Sequence, residues 1–382
     1  MARAAAKNFE HVVVLSDSSD YPEFLENYRE HKGKVPEKVR RQFAARTFAR
    51  LTAYDANITE YLEPEQHVGL AMRRVQECRY GENPHQMGAL YVKVGAKRCG
   101  LSALNQLQGK QLSYNNLQDA SAALQLAREF DTTAAVIVKH ATPCGVGLAL
   151  TPAQAVRRAL ETDKVSAFGG IVAMTKPLNE ETAHVLGDIF LEVVLAPSVN
   201  DDALKVFKKK KSLRILTYDI EELKRSRMTH ELRAVWGGYL RQESDEGFPE
   251  LSKYKVVTKR EPTSHEMEAL ELAWRVCKHV RSNAIVFSDA VHTLGIGAGQ
   301  MSRVDSVELA IRKATKSGLT LMDSVCASDA FFPFRDGLDA AVRAGATAVI
   351  QPGGSVRDEE VIQAADEQNV AMVFTGRRHF KH

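Results

Sequence analysis

The chain has 382 residues, 44% of them hydrophobic and 26% charged, with a formal net charge of only +3. That length holds two or three domains with a substantial core, and the near-neutral balance gives no case for nucleic acid as a partner. Five cysteines without a C-x-x-C pair argue against a disulfide framework and a zinc site; with no apolar leader core and no run of about 18 apolar residues, the expected location is the cytosol.

The first 63 residues read as one strand, 11–15, and two helices, 22–31 and 37–62. The second helix carries apolar Phe43, Ala44, Phe48, Leu51 and Tyr54. One strand and a few helices are too little for an independent α/β domain, so this segment is expected to be the tail of a larger one. Arg79 and Tyr80 then precede a tight turn. From about residue 70 strands and helices alternate. Residues 114–119 lead into a helix at 120–130, and Thr151-Pro152 opens another, with Thr as N-cap and Pro at the first helical position. Strands at 171–174 and 193–196 flank a helix capped by Asn179. This rhythm predicts a mostly parallel sheet covered by helices.

Between them lies the most informative stretch, Ala134-Ala-Val-Ile-Val-Lys-His-Ala-Thr-Pro-Cys-Gly-Val-Gly147. Residues 134–138 form a buried strand that ends on Lys139 and His140, and the chain is expected to turn through Pro143, Gly145 and Gly147. Neighbouring strand residues face opposite ways, so Lys139 and His140 reach one pocket only if the strand breaks there. Two readings stand at this point: a strand end with a surface Lys and a hydrogen-bonded His, or a catalytic pair. Cys144 reads as a small residue in the turn rather than a nucleophile. The basic run 208–211 reads as a solvated loop.

Residues 241–266, with Gly247, Pro249 and Pro262, read as a connection between two α/β halves that suggest a duplicated unit. The second half has helices at 265–279, after 300 to 316 and at 338–344, with strands at 284–287, 324–328, 347–351 and 370–374. A helix capped by Ser355 follows Pro352-Gly-Gly. Gly295-Ile-Gly-Ala-Gly-Gln300 lacks dinucleotide-loop spacing and reads as a glycine loop where backbone approaches a ligand, with Arg303 set to bind an anion. Phe331-Phe-Pro-Phe334 is a core plug or a wall for a flat heteroaromatic ring, which Asp336 would hydrogen-bond. Arg377, Arg378 and His382 close the chain.

Arg79-Tyr-Gly-Glu-Asn-Pro-His-Gln86, Leu112-Ser-Tyr-Asn-Asn-Leu-Gln-Asp119, Val138-Lys-His-Ala-Thr-Pro-Cys-Gly145, Ser166-Ala-Phe-Gly-Gly170, Arg281-Ser-Asn-Ala284, Gly295-Ile-Gly-Ala-Gly-Gln300, Ser328-Asp-Ala-Phe-Phe-Pro-Phe-Arg-Asp336 and Arg378-His-Phe-Lys-His382 occur in one order. Together they resemble the bacterial bifunctional purine-biosynthesis family, which joins an IMP cyclohydrolase domain to an AICAR transformylase domain. The resemblance spans essentially the whole chain. It implies an α/β fold with two cytidine-deaminase-like subdomains at about 67–240 and 265–382, preceded by a cyclohydrolase remnant at 1–66. The His/Cys zinc ligands of a deaminase are absent from the sequence, so deamination is not implied.

The implied reaction is formyl transfer from 10-formyltetrahydrofolate, as co-substrate, to the 5-amino group of AICAR, with no metal. By motif, His140 matches the catalytic His and Lys139 its partner. Arg79, Tyr80, His140, Gly169, Glu192, Asn283, Arg303, Phe331 and Arg378 match AICAR-contacting positions. Val304, Asp336, Ser355 and Val356 match folate-side positions. The family implies a homodimer with sites between subunits. Residues 1–66 resemble only the last third of the cyclohydrolase domain, without its opening strand and phosphate loop. Lys7 matches a cyclohydrolase Lys lacking that pocket, so no useful cyclohydrolase activity is expected. The alternatives are a catalytically silent chain that binds AICAR or a full-length partner, or a bifunctional protein that retains IMP cyclohydrolase activity.

Overall fold

The computed structural model describes residues 1–248 and 253–382; Pro249, expected in the connection between the halves, lies outside the described residues. The chain divides into two compact units, Met1–Arg98 and Cys99–His382. The boundary expected at 66/67 falls inside the first, between α3 and β1.

In the first unit, α1 (Ala2–Lys7), α2 (Tyr21–Glu30) and α3 (Glu37–Leu62) precede a hairpin of β1 (Met72–Glu77) and β2 (Ala89–Lys93). Its core is thin: Ala6, Val14 and Ala44, with Ala5, Phe9 and Phe48 against them. Arg40 of α3 ties the loops down, donating to the carbonyls of Phe9 at 2.9 Å and Val35 at 2.5 Å. The strand expected at 11–15 does not form. Val14 is buried, but a strand needs a ladder partner, and β1 and β2 pair only with each other.

The second unit contains a duplicated fold. Its first repeat runs β3 (Asn105–Gln108), α4 (Tyr114–Ala127), β4 (Ala134–Lys139), β5 (Thr142–Leu148), α5 (Pro152–Thr162), α6 (Lys164–Ala167), β6 (Gly170–Met174), α7 (Glu180–Gly187), β7 (Leu191–Ala196), α8 (Asp201–Phe207), β8 (Arg214–Thr217) and α9 (Ile220–Arg225). A hairpin, β9 (His230–Val235) and β10 (Gly238–Glu243), follows. The second repeat runs β11 (Lys255–Val256), α10 (Ser264–Cys277), β12 (Ile285–Ser288), β13 (Thr293–Gly297), α11 (Arg303–Lys316), β14 (Ser324–Ser328), α12 (Arg335–Arg343), β15 (Ala346–Gln351), α13 (Asp358–Glu367) and β16 (Ala371–Phe374).

The two six-stranded sheets have orders β3-β8-β7-β6-β4-β5 and β11-β16-β15-β14-β12-β13. Position by position the ladders agree in direction. Only β6–β7 and β7–β8, and their counterparts β14–β15 and β15–β16, are parallel. The sheets are therefore mixed, not mostly parallel. A two-residue link such as that between β4 and β5 permits only an antiparallel pair, whereas β6 to β7 has a helical crossover. Each repeat has its own core. One is built on Ile137, Val172, Met174, Val194 and Phe207, the other on Phe287, Cys326, Phe332, Val349 and Met372.

A shared glycine pair marks the duplication. A Cβ on Gly145 would lie 2.0 Å from the Ala159 carbonyl, and one on Gly147 2.3 Å from that of Ala155, both on α5. On Gly295 and Gly297 it would lie 2.6 Å and 1.9 Å from the carbonyls of Ala310 and Ser306 on α11. These glycines let a helix press onto β5 or β13. They are strand residues, not the turn or ligand loop expected for them. Lys210 also differs from a solvated loop residue: its ammonium donates to the carbonyl of Gly187, the last residue of α7, and to that of Ile189 just beyond it at 3.0 Å.

Candidate active site

β4 and β5 are closed by His140 and Ala141 alone, and Lys139 still pairs with Thr142. Both turn residues are left-handed, with φ of +51° and +57°. This is the I′ pattern, whose twist suits a two-residue hairpin but which favours Asn-Gly. For residues with a Cβ it costs about 1–2 kcal/mol each. Asp119, on the helix packed behind β4, offsets that cost. Its carboxylate accepts the Ala141 N–H at 2.6 Å and the His140 N–H at 3.2 Å. Burial pushes the Asp119 pKa up, against the lowering effect of those two N–H groups and of nearby His140 and Lys139. The turn leaves the His140 side chain exposed.

Lys139 is half-buried, and its ammonium donates to the carbonyls of Phe168 and Gly169, each at 2.9 Å. Gly169 has φ of +68°, and a Cβ there would lie 2.9 Å from Lys139 Nζ. The strand therefore does not break, as had been expected; the left-handed turn directly after Lys139 redirects His140. Beside this end of the sheet the exposed rings of Phe168 and Phe190 lie 5.2 Å apart. Glu192 on β7 accepts from buried Arg214 at 2.6 Å. Cys144 is a buried β5 residue whose thiol burial pushes up to about 12, so it is no nucleophile.

The second repeat contributes a buried polar cluster at the carboxyl end of β14. Arg303, the first residue of α11, donates to Asp329 at 2.6 Å, to Ser328 Oγ at 2.8 Å and to Asn283 Oδ1 at 2.8 Å. Asp329 is wholly buried and also accepts from Ser282. The Asn283 amide donates to the carbonyls of Gln300 at 2.9 Å and Met301 at 3.1 Å. Arg303 is thus matched by an internal carboxylate, and Asn283 is held on both sides.

The sheets meet along β5 and β13, which run antiparallel through a bridge between Gly147 and His292. The Val146 N–H donates to Thr293 Oγ1 at 2.9 Å, and the Leu148 N–H to the Val291 carbonyl at 2.7 Å. The start of β5 and the end of β13 therefore lie toward the same end of this seam. That end carries the His140 turn from one repeat and the Asn283–Arg303 cluster from the other.

The remaining candidates separate. Of the three phenylalanines, Phe332 is fully buried core, its N–H donating to Gln351 Oε1 at 2.8 Å. Phe334 is exposed under the Arg357 guanidinium, 4.7 Å from its ring centroid, and Phe331 is half-buried. Asp336 is exposed in the first turn of α12. Ser355 is not a helix cap: it accepts from the Arg357 N–H at 3.1 Å, and α13 begins at Asp358. Val356 is fully exposed and Val304 half-buried on α11. Arg378 is exposed, with its guanidinium 4.3 Å from the Phe380 centroid. In the first unit, Arg79 stacks on Tyr80 at 4.8 Å, and Lys7 is exposed in the last turn of α1.

Asp119 and Asp329 were absent from the residues expected to serve the site. The signal for Asp119 was His-Ala at turn positions that favour Asn-Gly. Asp329 had none in spacing, because its role depends on a guanidinium 26 residues earlier in the chain. Among the described residues no group of three His, Cys, Asp or Glu could hold a metal ion, and no helix is long and apolar enough to cross a membrane.

The model of the AICARFT/IMPCHase bienzyme family matches residues 5–313. The bifunctional purine biosynthesis protein PurH of Halalkalibacterium halodurans is 48% identical over 388 residues, covering 100% of this chain and 75% of that protein.

Proposed function

Because the chain belongs to the AICARFT/IMPCHase bienzyme family, we propose that it transfers the formyl group of 10-formyltetrahydrofolate to the 5-amino group of AICAR in purine biosynthesis. The amine is a weak nucleophile, its lone pair delocalised into the imidazole carboxamide. It attacks the formyl carbon, and His140 takes its proton as the bond forms. Negative charge develops on the formyl oxygen of the tetrahedral intermediate. Lys139 supplies fixed positive charge there, and the His140 imidazolium returns the proton to the folate nitrogen as its bond to the formyl carbon breaks, giving tetrahydrofolate and formyl-AICAR.

The observation that carries this reading is the β4–β5 turn. An imidazole stands exposed immediately beyond an ammonium fastened to two carbonyls. Such a group needs no reorganisation when charge appears. Asn283 is positioned for a substrate amide or hydroxyl, with Arg303 acting through it. Arg378, exposed, suits the phosphate. Gly169, Glu192 and half-buried Phe331 complete the AICAR side. Val304, Asp336, Ser355 and Val356 form the folate side.

A homodimer with sites between subunits is part of this proposal. Exposed Phe168 and Phe190 beside Lys139, and exposed Trp236, Tyr239 and Leu240 on the β9–β10 hairpin, support it as apolar surface for a second copy. The test is AICAR-dependent release of tetrahydrofolate from 10-formyltetrahydrofolate, with His140→Ala as control. Activity in the parent and its loss in the variant support the proposal. Equal inactivity with AICAR still bound would replace it by a binding role.

A further inference from the structure

We propose that Asp119 is the positioning residue for His140, an inference that rests on the formyl-transfer reading. Three observations carry it. The turn places His140 and Ala141 at positive φ, where neither residue is at ease. The Asp119 carboxylate takes both of their N–H groups, one on each oxygen. Asp119 itself is anchored, because Leu117, Ala120, Ala123 and Leu124 of the same helix are buried and Ser113 and Asn116 form a capping box at its start.

These facts give Asp119 a function distinct from contact with substrate. A hairpin tip without such a clamp samples other turn types, and each redirects the His140 Cα–Cβ bond. A base misplaced by about 1 Å loses roughly a hundredfold in rate while binding is little affected. The two acceptor oxygens also explain why the chain tolerates His and Ala where backbone preference favours Asn-Gly. An amide at position 119 supplies one acceptor and turns a donor toward the second N–H, so Asn is a partial substitute.

The test combines kinetics with amide hydrogen exchange on the full chain. Asp119→Ala is expected to lower kcat about 30- to 100-fold with the AICAR Kd within about threefold, and Asp119→Asn to lie between it and the parent. Ala141→Gly placed in the Asp119→Ala background is expected to regain at least about fivefold in kcat, because glycine adopts the left-handed conformation freely. Exchange at the Ala141 amide should quicken in Asp119→Ala, a readout that needs no substrate. Unchanged kcat, unchanged exchange, or no recovery by Ala141→Gly would overturn the proposal. A parent chain without formyl transfer would instead overturn the functional reading, whatever the exchange shows.

Discussion

Lys139 and Gly169 are fitted to each other: the ammonium donates to the Gly169 carbonyl at 2.9 Å, and a Cβ on Gly169 would come equally close to that nitrogen. Gly169 also has φ of +68°, so alanine there meets both strain and a clash. Gly169→Ala is expected to cost about 1–2 kcal/mol of stability in urea unfolding. The displaced ammonium should lower formyl-transfer kcat by more than about tenfold. A variant with normal kcat would detach Lys139's seat from catalysis.

Arg303 and Asp329 form a buried ion pair. Removing one partner leaves the other charged and without compensation. Arg303→Ala should therefore destabilise by about 3–5 kcal/mol. Asp329→Asn, which keeps an acceptor for the guanidinium, should cost less. Denaturant midpoints of the two variants decide the order.

The glycine pairs of the two repeats predict matched behaviour. Gly147→Ala and Gly297→Ala would drive a methyl into a helix carbonyl and should each cost about 1–3 kcal/mol or more as α5 or α11 is pushed off its strand. Gly299, unlike them, has positive φ, and its Cβ would meet nothing within 4 Å. Gly299→Ala should cost only about 1–2 kcal/mol, the backbone strain alone. Thermal unfolding of the three variants separates packing from strain.

Acid should weaken the fold in two stages. Burial pushes the His279 pKa down, overcoming its bond to Glu129, so His279 is neutral in the fold and protonates readily only when unfolded. Its contribution is full above the ordinary histidine range and is lost as pH falls below it. Burial opposes the charge on Glu266, but Arg260, Thr347 and the Thr263 N–H outweigh it and hold the carboxyl down at about 2. That contribution is full above the ordinary glutamate range and disappears as pH falls toward 2. Urea midpoints should decline from neutral pH downward, and His279→Gln should flatten the upper part of the decline. A curve that rises on acidification would contradict both assignments.

Thiol labelling should follow burial. Cys99 is exposed, whereas Cys144, Cys277 and Cys326 are buried, with their thiols pushed up by burial. Under native conditions Cys99 should be modified first, and those three only on unfolding. Alkylation of Cys144 at the rate of Cys99 would reopen its reading as a nucleophile.

Much of the architecture was legible in the residues. Apolar runs and caps located α3, β14 and the Thr151 start of α5, because periodicity and capping are local properties of a segment. The alternation of strands and helices suggested a duplicated α/β unit, and the motif order singled out Lys139 and His140. The direction of the ladders was less legible, since it depends on which strands are joined by a turn and which by a helix. The strand expected at 11–15 failed for a related reason: a ladder needs a partner that the segment does not contain.

The sequence by itself determined which side chains the site has to work with, because residue chemistry and motif order are written along the chain. Only the tertiary structure decided what each one is free to do. Gly145, Gly147, Gly295 and Gly297 read alike as loop residues until α5 and α11 are laid across them. Arg303 reads as an anion ligand until Asp329 is folded against it. Lys139 and His140 read as a broken strand until Asp119, 20 positions before Lys139, arrives to hold a turn that Lys139 and His140 cannot specify alone. In each case the deciding interaction joins groups distant in sequence, and no local propensity encodes it.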